Sequence, residues 1–214
     1  MSTVIVLAKA PRPGRVKTRL CPPLTFTEAA CVARAALDDT LAAVSHVECD
    51  RRVLALDECV AWLRPSGYHI VRQSDGNLAD RLAAAFAASD GPTVLVGMDT
   101  PQITASLIES ALGTLTEPDD AVLGVAEDGG YWLVGMSRRH PLAFEDVPMS
   151  THHTGAAQRR QLRRVGYDIH QVSVLRDVDH CGDALQVAAA APGTHFAAAV
   201  AALDIAARVD AIAS

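Results

Sequence analysis

Four groups of residues in this chain have the types and spacings that phosphate and metal chemistry need. The first is Lys9, Arg12, Arg15, Lys17 and Arg19, a cationic stretch that holds both lysines of the sequence. An ammonium meets a phosphate as a point charge, and a guanidinium meets it with two parallel hydrogen bonds. The second is Asp99 within Gly97-Met98-Asp99-Thr100-Pro101, a carboxylate at a turn that suits a divalent ion. The third is Asp177-Val178-Asp179. In extended chain, residues two apart share a face, so both carboxylates can converge on one ion. Magnesium takes one or two carboxylates and completes its shell with phosphate oxygens and water. The fourth is Asp128-Gly129-Gly130-Tyr131-Trp132. There Asp128 can serve an acceptor hydroxyl as general base, the glycines permit close backbone approach, and the Tyr-Trp pair supplies apolar faces. Gly76-Asn77, just before a helical pattern, can set backbone amides against a base or ribose. Each group also has a plainer reading: a solvated basic loop, a turn-capping Asp, a solvated acidic pair, a hairpin turn.

The elements that must position these groups alternate between strand and helix patterns. Val4-Ile5-Val6-Leu7 is a short apolar run that suits a buried strand, and Pro11, Pro13 and Gly14 stop a helix after it. The cations therefore lie on a loop at a strand end, the edge where open α/β sheets bind ligands. Thr27 is expected to cap a helix running to about Ser45. A strand over Arg52–Leu56, a short helix over Asp57–Leu63 and a strand over Tyr68–Arg72 follow. A helix over Leu78–Ala88, a strand over Thr93–Val96 and a helix capped by Thr104 come next. Ala121–Val125 and Tyr131–Met136 read as strands joined by a glycine turn, hence a hairpin. A basic helix is expected from Ser150 or Thr151 to Arg164, then extended chain over Tyr167–Leu175. Ala184 to Ala213 reads as two alanine-rich helices broken at Pro192-Gly193. Such alternation predicts a mixed, mostly parallel sheet covered on both faces.

Bulk properties exclude several classes. With 214 residues, 50% of them hydrophobic, the chain can bury one full core. A net charge of -6 and 4% aromatic content argue against a nucleic-acid binder. No long apolar stretch and no signal-peptide pattern are present, so membrane insertion is not expected and a cytoplasmic location is. Cys21, Cys31, Cys49, Cys59 and Cys181 show no C-x-x-C pair and read as free thiols, with Cys31 a small core residue. His152-His153 reads as a surface pair at a helix start rather than a metal site. Val16 stands where a P-loop needs Gly, and neither G-x-G-x-x-G after the first strand nor G-x-S-x-G occurs.

The motifs Ala8-Lys9-Ala10-Pro11 through Gly14-Arg15-Val16-Lys17-Thr18-Arg19-Leu20, Gly97–Pro101, Glu127-Asp128-Gly129-Gly130-Tyr131-Trp132-Leu133-Val134-Gly135 and Asp177-Val178-Asp179 occur in this order. Together they resemble a bacterial family of glycosyltransferase-A-like (GT-A-like) proteins in the nucleotide-diphospho-sugar transferase superfamily, labelled arsenosugar-type glycosyltransferases. The resemblance implies a single GT-A-like domain over residues 1–214, a three-layer α/β/α sandwich. Its nucleotide-binding half would cover about 1–100 and its acceptor half about 101–183, with the C-terminal helices over about 184–213. Lys17-Thr18-Arg19-Leu20 is also similar to a loop of the 2-phospholactate and phosphoenolpyruvate guanylyltransferases. Where the family pattern has Thr after the second acid, this chain has His180.

These readings converge on a transferase with a nucleotide-activated donor. Lys9, Gly14, Lys17, Thr18, Arg19, Gly76 and Asn77 are expected to hold nucleotide and phosphates, and Asp99, Asp177 and Asp179 to hold Mg²⁺ or Mn²⁺. Asp128, Gly129, Gly130, Tyr131 and Trp132 would meet a small-molecule acceptor, with Asp99, Asp128 and Lys17 nearest the chemistry. The leading expectation is glycosyl transfer from a nucleotide-diphospho-sugar. The alternatives are nucleotidyl transfer from a nucleoside triphosphate with pyrophosphate release, and a catalytically silent protein that binds nucleotide or a partner. In that last case the basic helix Arg159–Arg164 would be a partner surface, its plainer reading being a solvated face.

Overall fold

The computed structural model describes residues 1–213. Its elements in chain order are β1 (Thr3–Ala8), α1 (Phe26–Ser45), β2 (Arg51–Leu56), β3 (His69–Arg72), α2 (Leu78–Ala87), β4 (Thr93–Gly97) and α3 (Ala105–Gly113). Then come β5 (Asp120–Val125), β6 (Tyr131–Met136), α4 (Thr154–Arg164), β7 (Asp168–Gln171), α5 (Cys181–Ala190), α6 (His195–Ala202) and α7 (Ile205–Ala213). A short 3-10 turn spans Thr18–Leu20.

The strands form one seven-stranded sheet in the order β3-β2-β1-β4-β6-β5-β7. Strand β6 pairs antiparallel with both β4 and β5, and every other pairing is parallel. The sheet is mixed and mostly parallel, as expected, with β6 the reversed strand. Alternation along β1 sends Val4 and Val6 into the layer with α1 and α3, and Ile5 into the layer with α2 and α4. A third apolar cluster, centred on Phe196 and Val32, fastens α5, α6 and α7 against the outer side of α1.

Helix starts follow side-chain capping. Thr25, not Thr27, caps α1, because Thr25 and Glu28 form a reciprocal capping box. Asn77 and Asp80 do the same for α2, and Thr104 caps α3. The Asp57–Leu63 segment makes no helix. Asp57 is held instead by Ala8 and Ala10, its amide donating to the Ala8 carbonyl and its Oδ1 accepting from the Ala10 amide, and Val60 and Leu63 are buried in turns. Helix α4 starts at Thr154, after Thr151 and Thr154 exchange hydrogen bonds that close the preceding turn. Strand β7 is shorter than the extended segment that contains it. The C-terminal region holds three helices rather than two: the break at Pro192-Gly193 is joined by a second at Asp204, whose φ of 48° no helix accommodates. Cys31 is exposed, because Ala29, Ala30, Val32 and Ala33 take the inward positions of α1.

Candidate functional site

Because β6 runs backwards, its first residue lies beside the carboxyl end of β4. The turn from Ala126 to Gly130 therefore shares an edge with the loops that follow β1 and β4. After β7 the chain crosses this same edge in irregular conformation. It is stitched there by Glu127 N–H to the Leu175 carbonyl (3.0 Å) and by Val178 N–H to the Asp99 carbonyl (2.9 Å). These bonds bring three distant segments together around a cleft of about 740 Å³. Its lining includes the basic-loop residues Lys9, Arg15, Lys17, Thr18 and Arg19 together with the acids Asp99, Asp128, Asp177 and Asp179.

Lys17 is the pivot of the arrangement. It holds a left-handed backbone conformation (φ 48°) at the start of the 3-10 turn, which costs a non-glycine residue on the order of 1 kcal/mol. Its side chain is turned inward, with only 6% exposed. The ammonium donates to the Val178 carbonyl and lies 2.5 Å from Asp99 Oδ1. Asp99 itself is about half exposed, at 53%, so it reaches from the buried lysine into the cleft. Arg19 pairs with Asp179 across the same gap, Nη1 to Oδ2 at 2.5 Å. Two cations of the basic loop are thus already matched to two of the acids.

Asp177 is not matched in this way. Burial first, then the neighbouring carboxylates of Asp128 and Asp179, push its carboxyl up to about 6, with Lys17 partly opposing them. Val178, between the two acids, is turned the other way into the apolar cluster with Leu20 and Val32. Asp177 and Asp179 accordingly share the cleft side, as alternation requires. Among the described residues no three His, Cys, Asp or Glu side chains come close enough to cage an ion.

The glycine turn is tightly constrained. Asp128, which lines the cleft, accepts from the Gly130 amide through Oδ1 at 2.7 Å. Gly129 has φ +88°, and a Cβ there would lie 2.0 Å from the His152 carbonyl oxygen. The first turn of α4 packs on it through Gly155 N–H to the Gly129 carbonyl. His152 and His153 are exposed, their rings 3.7 Å apart at this helix start. Trp132 differs from the expected open aromatic face. Its indole is 3% exposed, sits over Gly124, and donates from Nε1 to the Ser173 carbonyl at 2.9 Å. Tyr131 reaches Gln158 and Met149 with its hydroxyl, and burial raises its phenol well above the ordinary range.

Gly14 lies on the exposed loop at φ +75°, away from the cleft lining. Gly76 and Asn77 also fall outside that lining, and the Asn77 side chain is committed to capping α2. Leu78 and Arg81 of α2 face the cleft instead, with Gln73 before them. In the sequence Gln73 only opens the polar segment before α2, and a polar residue directly after a strand does not mark a site. Its amide nitrogen donates to the Ala8 and Ala55 carbonyls at 2.8 and 2.9 Å, locking the loop end of β1 to β2.

A family model described as an uncharacterized protein conserved in bacteria (DUF2064) matches residues 31–151. The chain belongs to this family. The DUF2064 match takes in Asp99 and the Asp128–Trp132 turn, while the basic loop and Asp177 lie on either side of it. No curated protein is significantly similar in sequence. Among solved structures, a provisionally named nucleotide-diphospho-sugar transferase from Desulfovibrio desulfuricans G20 is 26% identical, with a TM-score of 0.77 over 85% of this chain and 84% of that one. A homolog of Mycobacterium tuberculosis rv0371c from Mycobacterium sp. strain JC1 is 22% identical, with a TM-score of 0.56 over 93% of this chain and 96% of that one. The 2-C-methyl-D-erythritol 4-phosphate cytidylyltransferase of Thermus thermophilus is 16% identical, with a TM-score of 0.52 over 90% of this chain and 100% of that one. The fold is that of the nucleotide-diphospho-sugar transferases.

Proposed function

We propose that this protein is a transferase that binds a nucleotide-activated donor in the cleft and passes a glycosyl group from a nucleotide-diphospho-sugar to a small acceptor. The observation that carries this reading is the cleft itself, which gathers loop cations and four carboxylates at the carboxyl ends of the parallel strands β1 and β4. The likeness to the Desulfovibrio transferase, which spans most of both chains, supports the same donor class.

Lys9, Lys17, Thr18 and Arg19 are assigned to the donor phosphates, with Gly14 giving their loop its turn. Gly76 and Asn77 would bear on the nucleoside only through the start of α2, which they fix. Asp128, held by the Gly130 amide, accepts the proton of the acceptor hydroxyl. Gly129, Gly130 and Tyr131 shape the acceptor end, and Trp132 supports it from below.

The residues also fit a divalent cation, Mg²⁺ or Mn²⁺, that arrives on the donor. Asp177 is a carboxylate short of positive charge, and no complete protein cage exists among the described residues, so phosphate oxygens would have to complete the shell. Asp99 and Asp177 would hold the ion, with Asp179 behind them. When bound, such an ion would offset charge on the leaving diphosphate.

Nucleotidyl transfer with pyrophosphate release is a second reading, and the burial of Trp132 favours it. The apolar face that would greet a sugar is turned inward. A panel of nucleotide sugars and nucleoside triphosphates, each with Mg²⁺ and an acceptor set, separates the two. Sugar-nucleotide turnover without pyrophosphate supports glycosyl transfer, and pyrophosphate from triphosphates replaces it with the second reading. Absence of binding to any nucleotide overturns both, whereas nucleotide binding without turnover across the panel leaves the silent binding protein.

A further inference from the structure

The Lys17 ammonium occupies a position that a metal cation would suit. Its oxygen partners are Asp99 Oδ1 and the Val178 carbonyl, and it also acts electrostatically on Asp177. Residue 17 holds a left-handed backbone conformation, and its side chain is almost wholly buried there. Resting on the nucleotide-and-metal reading above, we propose that Lys17 is a tethered stand-in for the divalent cation, which makes metal binding conditional on a phosphate-bearing ligand.

The physical reason is charge balance. A divalent ion entering beside Asp99 and Asp177 without a ligand must displace or repel a buried ammonium. That ammonium then loses its carboxylate partner Asp99, and the neighbouring Asp179 is already paired with Arg19. When the ion arrives on a diphosphate, the phosphate oxygens supply the missing anion and Lys17 transfers its hydrogen bond from Asp99 to them. Ligand and metal are therefore coupled through one side chain, and by linkage each must tighten the other by the same factor. No bond is made or broken beyond coordination and hydrogen bonding.

The test is Mn²⁺ binding followed by electron paramagnetic resonance, with Mn²⁺ alone and with each of four nucleoside diphosphates. In the parent, Mn²⁺ alone should bind at least about tenfold more weakly than in the presence of the diphosphate that binds. Lys17→Met should bind Mn²⁺ alone about tenfold more tightly than the parent does, and Lys17→Met with Asp99→Asn should lose that gain. Lys17→Gln keeps a donor for the Val178 carbonyl and replaces Lys17→Met if circular dichroism shows that the methionine variant is unfolded. A folded Lys17 variant with no gain in Mn²⁺ affinity overturns the proposal, as does failure of both variants to fold, which would make Lys17 a purely structural residue. If no diphosphate binds the parent, the donor reading fails. The Mn²⁺-alone comparison still decides the stand-in role.

Discussion

Gly155 donates its amide to the Gly129 carbonyl at 2.8 Å, so the first turn of α4 rests directly on the turn between β5 and β6. Both residues lack a Cβ at the contact. Gly155 could not carry one either, since it would lie 2.6 Å from the Gly130 carbonyl oxygen. Gly129→Ala combines this crowding with a positive φ. It should destabilise the fold by about 2–4 kcal/mol, read from urea denaturation. A loss below about 0.5 kcal/mol would mean that the turn and α4 are not pressed together as described.

Asp99→Asn tests the metal assignment. The amide keeps an oxygen for Lys17 and nearly the same volume, so circular dichroism should be unchanged. Calorimetry should show affinity for Mg²⁺-nucleotide lowered by about tenfold or more, the equivalent of ~1.4 kcal/mol. A folded variant that binds as tightly as the parent would make Asp99 a turn residue only.

Asp177 predicts a dependence on pH. Its carboxyl is raised in the folded protein to about 6, so between the unfolded value and about 6 the native state holds more protons than the unfolded state. Folding stability from this group is therefore fullest in acid and declines as pH rises through about 6. Asp177→Asn removes the penalty. Because the side chain is only partly buried, the gain at pH 8 should be about 1 kcal/mol, or about 2–4 °C in Tm, and should vanish near pH 3. A variant with lower Tm than the parent at pH 8 would contradict the burial of charge at this position.

Trp132→Phe separates a structural indole from a ligand-facing one. Loss of the Nε1 hydrogen bond to Ser173 should cost about 1 kcal/mol and leave nucleotide affinity within about twofold. A raised acceptor KM with no change in thermal stability would instead place the ring against the acceptor.

Much of the architecture was legible because strand and helix signals are local. The apolar run of β1, the hairpin glycines and the capping Thr104 each announce their element within a few residues. The reversed strand was legible too, since five residues between two strands allow only a hairpin. Asp57–Leu63 was misread because its helical pattern is overridden by hydrogen bonds to Ala8 and Ala10, some 47 residues away. Cys31 looked apolar and inward, yet the alanines beside it took the buried face. The loop cations were readable as a cluster but their pairing was not. Nothing near residue 17 signals that its ammonium ends on Val178, 161 residues later. The cleft-lining Gln73 escaped for the same reason: its role lies in carbonyls of two other strands.

That separation carries a consequence for biosynthesis. Lys17 and Arg19 emerge from the ribosome 161 and 160 residues ahead of Val178 and Asp179. At ordinary elongation speeds the nascent loop waits roughly 8–30 seconds for these partners to be made. Throughout that interval the strands of the first half can pair and Asp99 can meet Lys17, while Arg19 stays without Asp179 and open to any polyanion nearby. Completion of the cleft is thus among the last events in the making of this chain, and a ribosome stalled before residue 177 would hold a sheet with half a binding site.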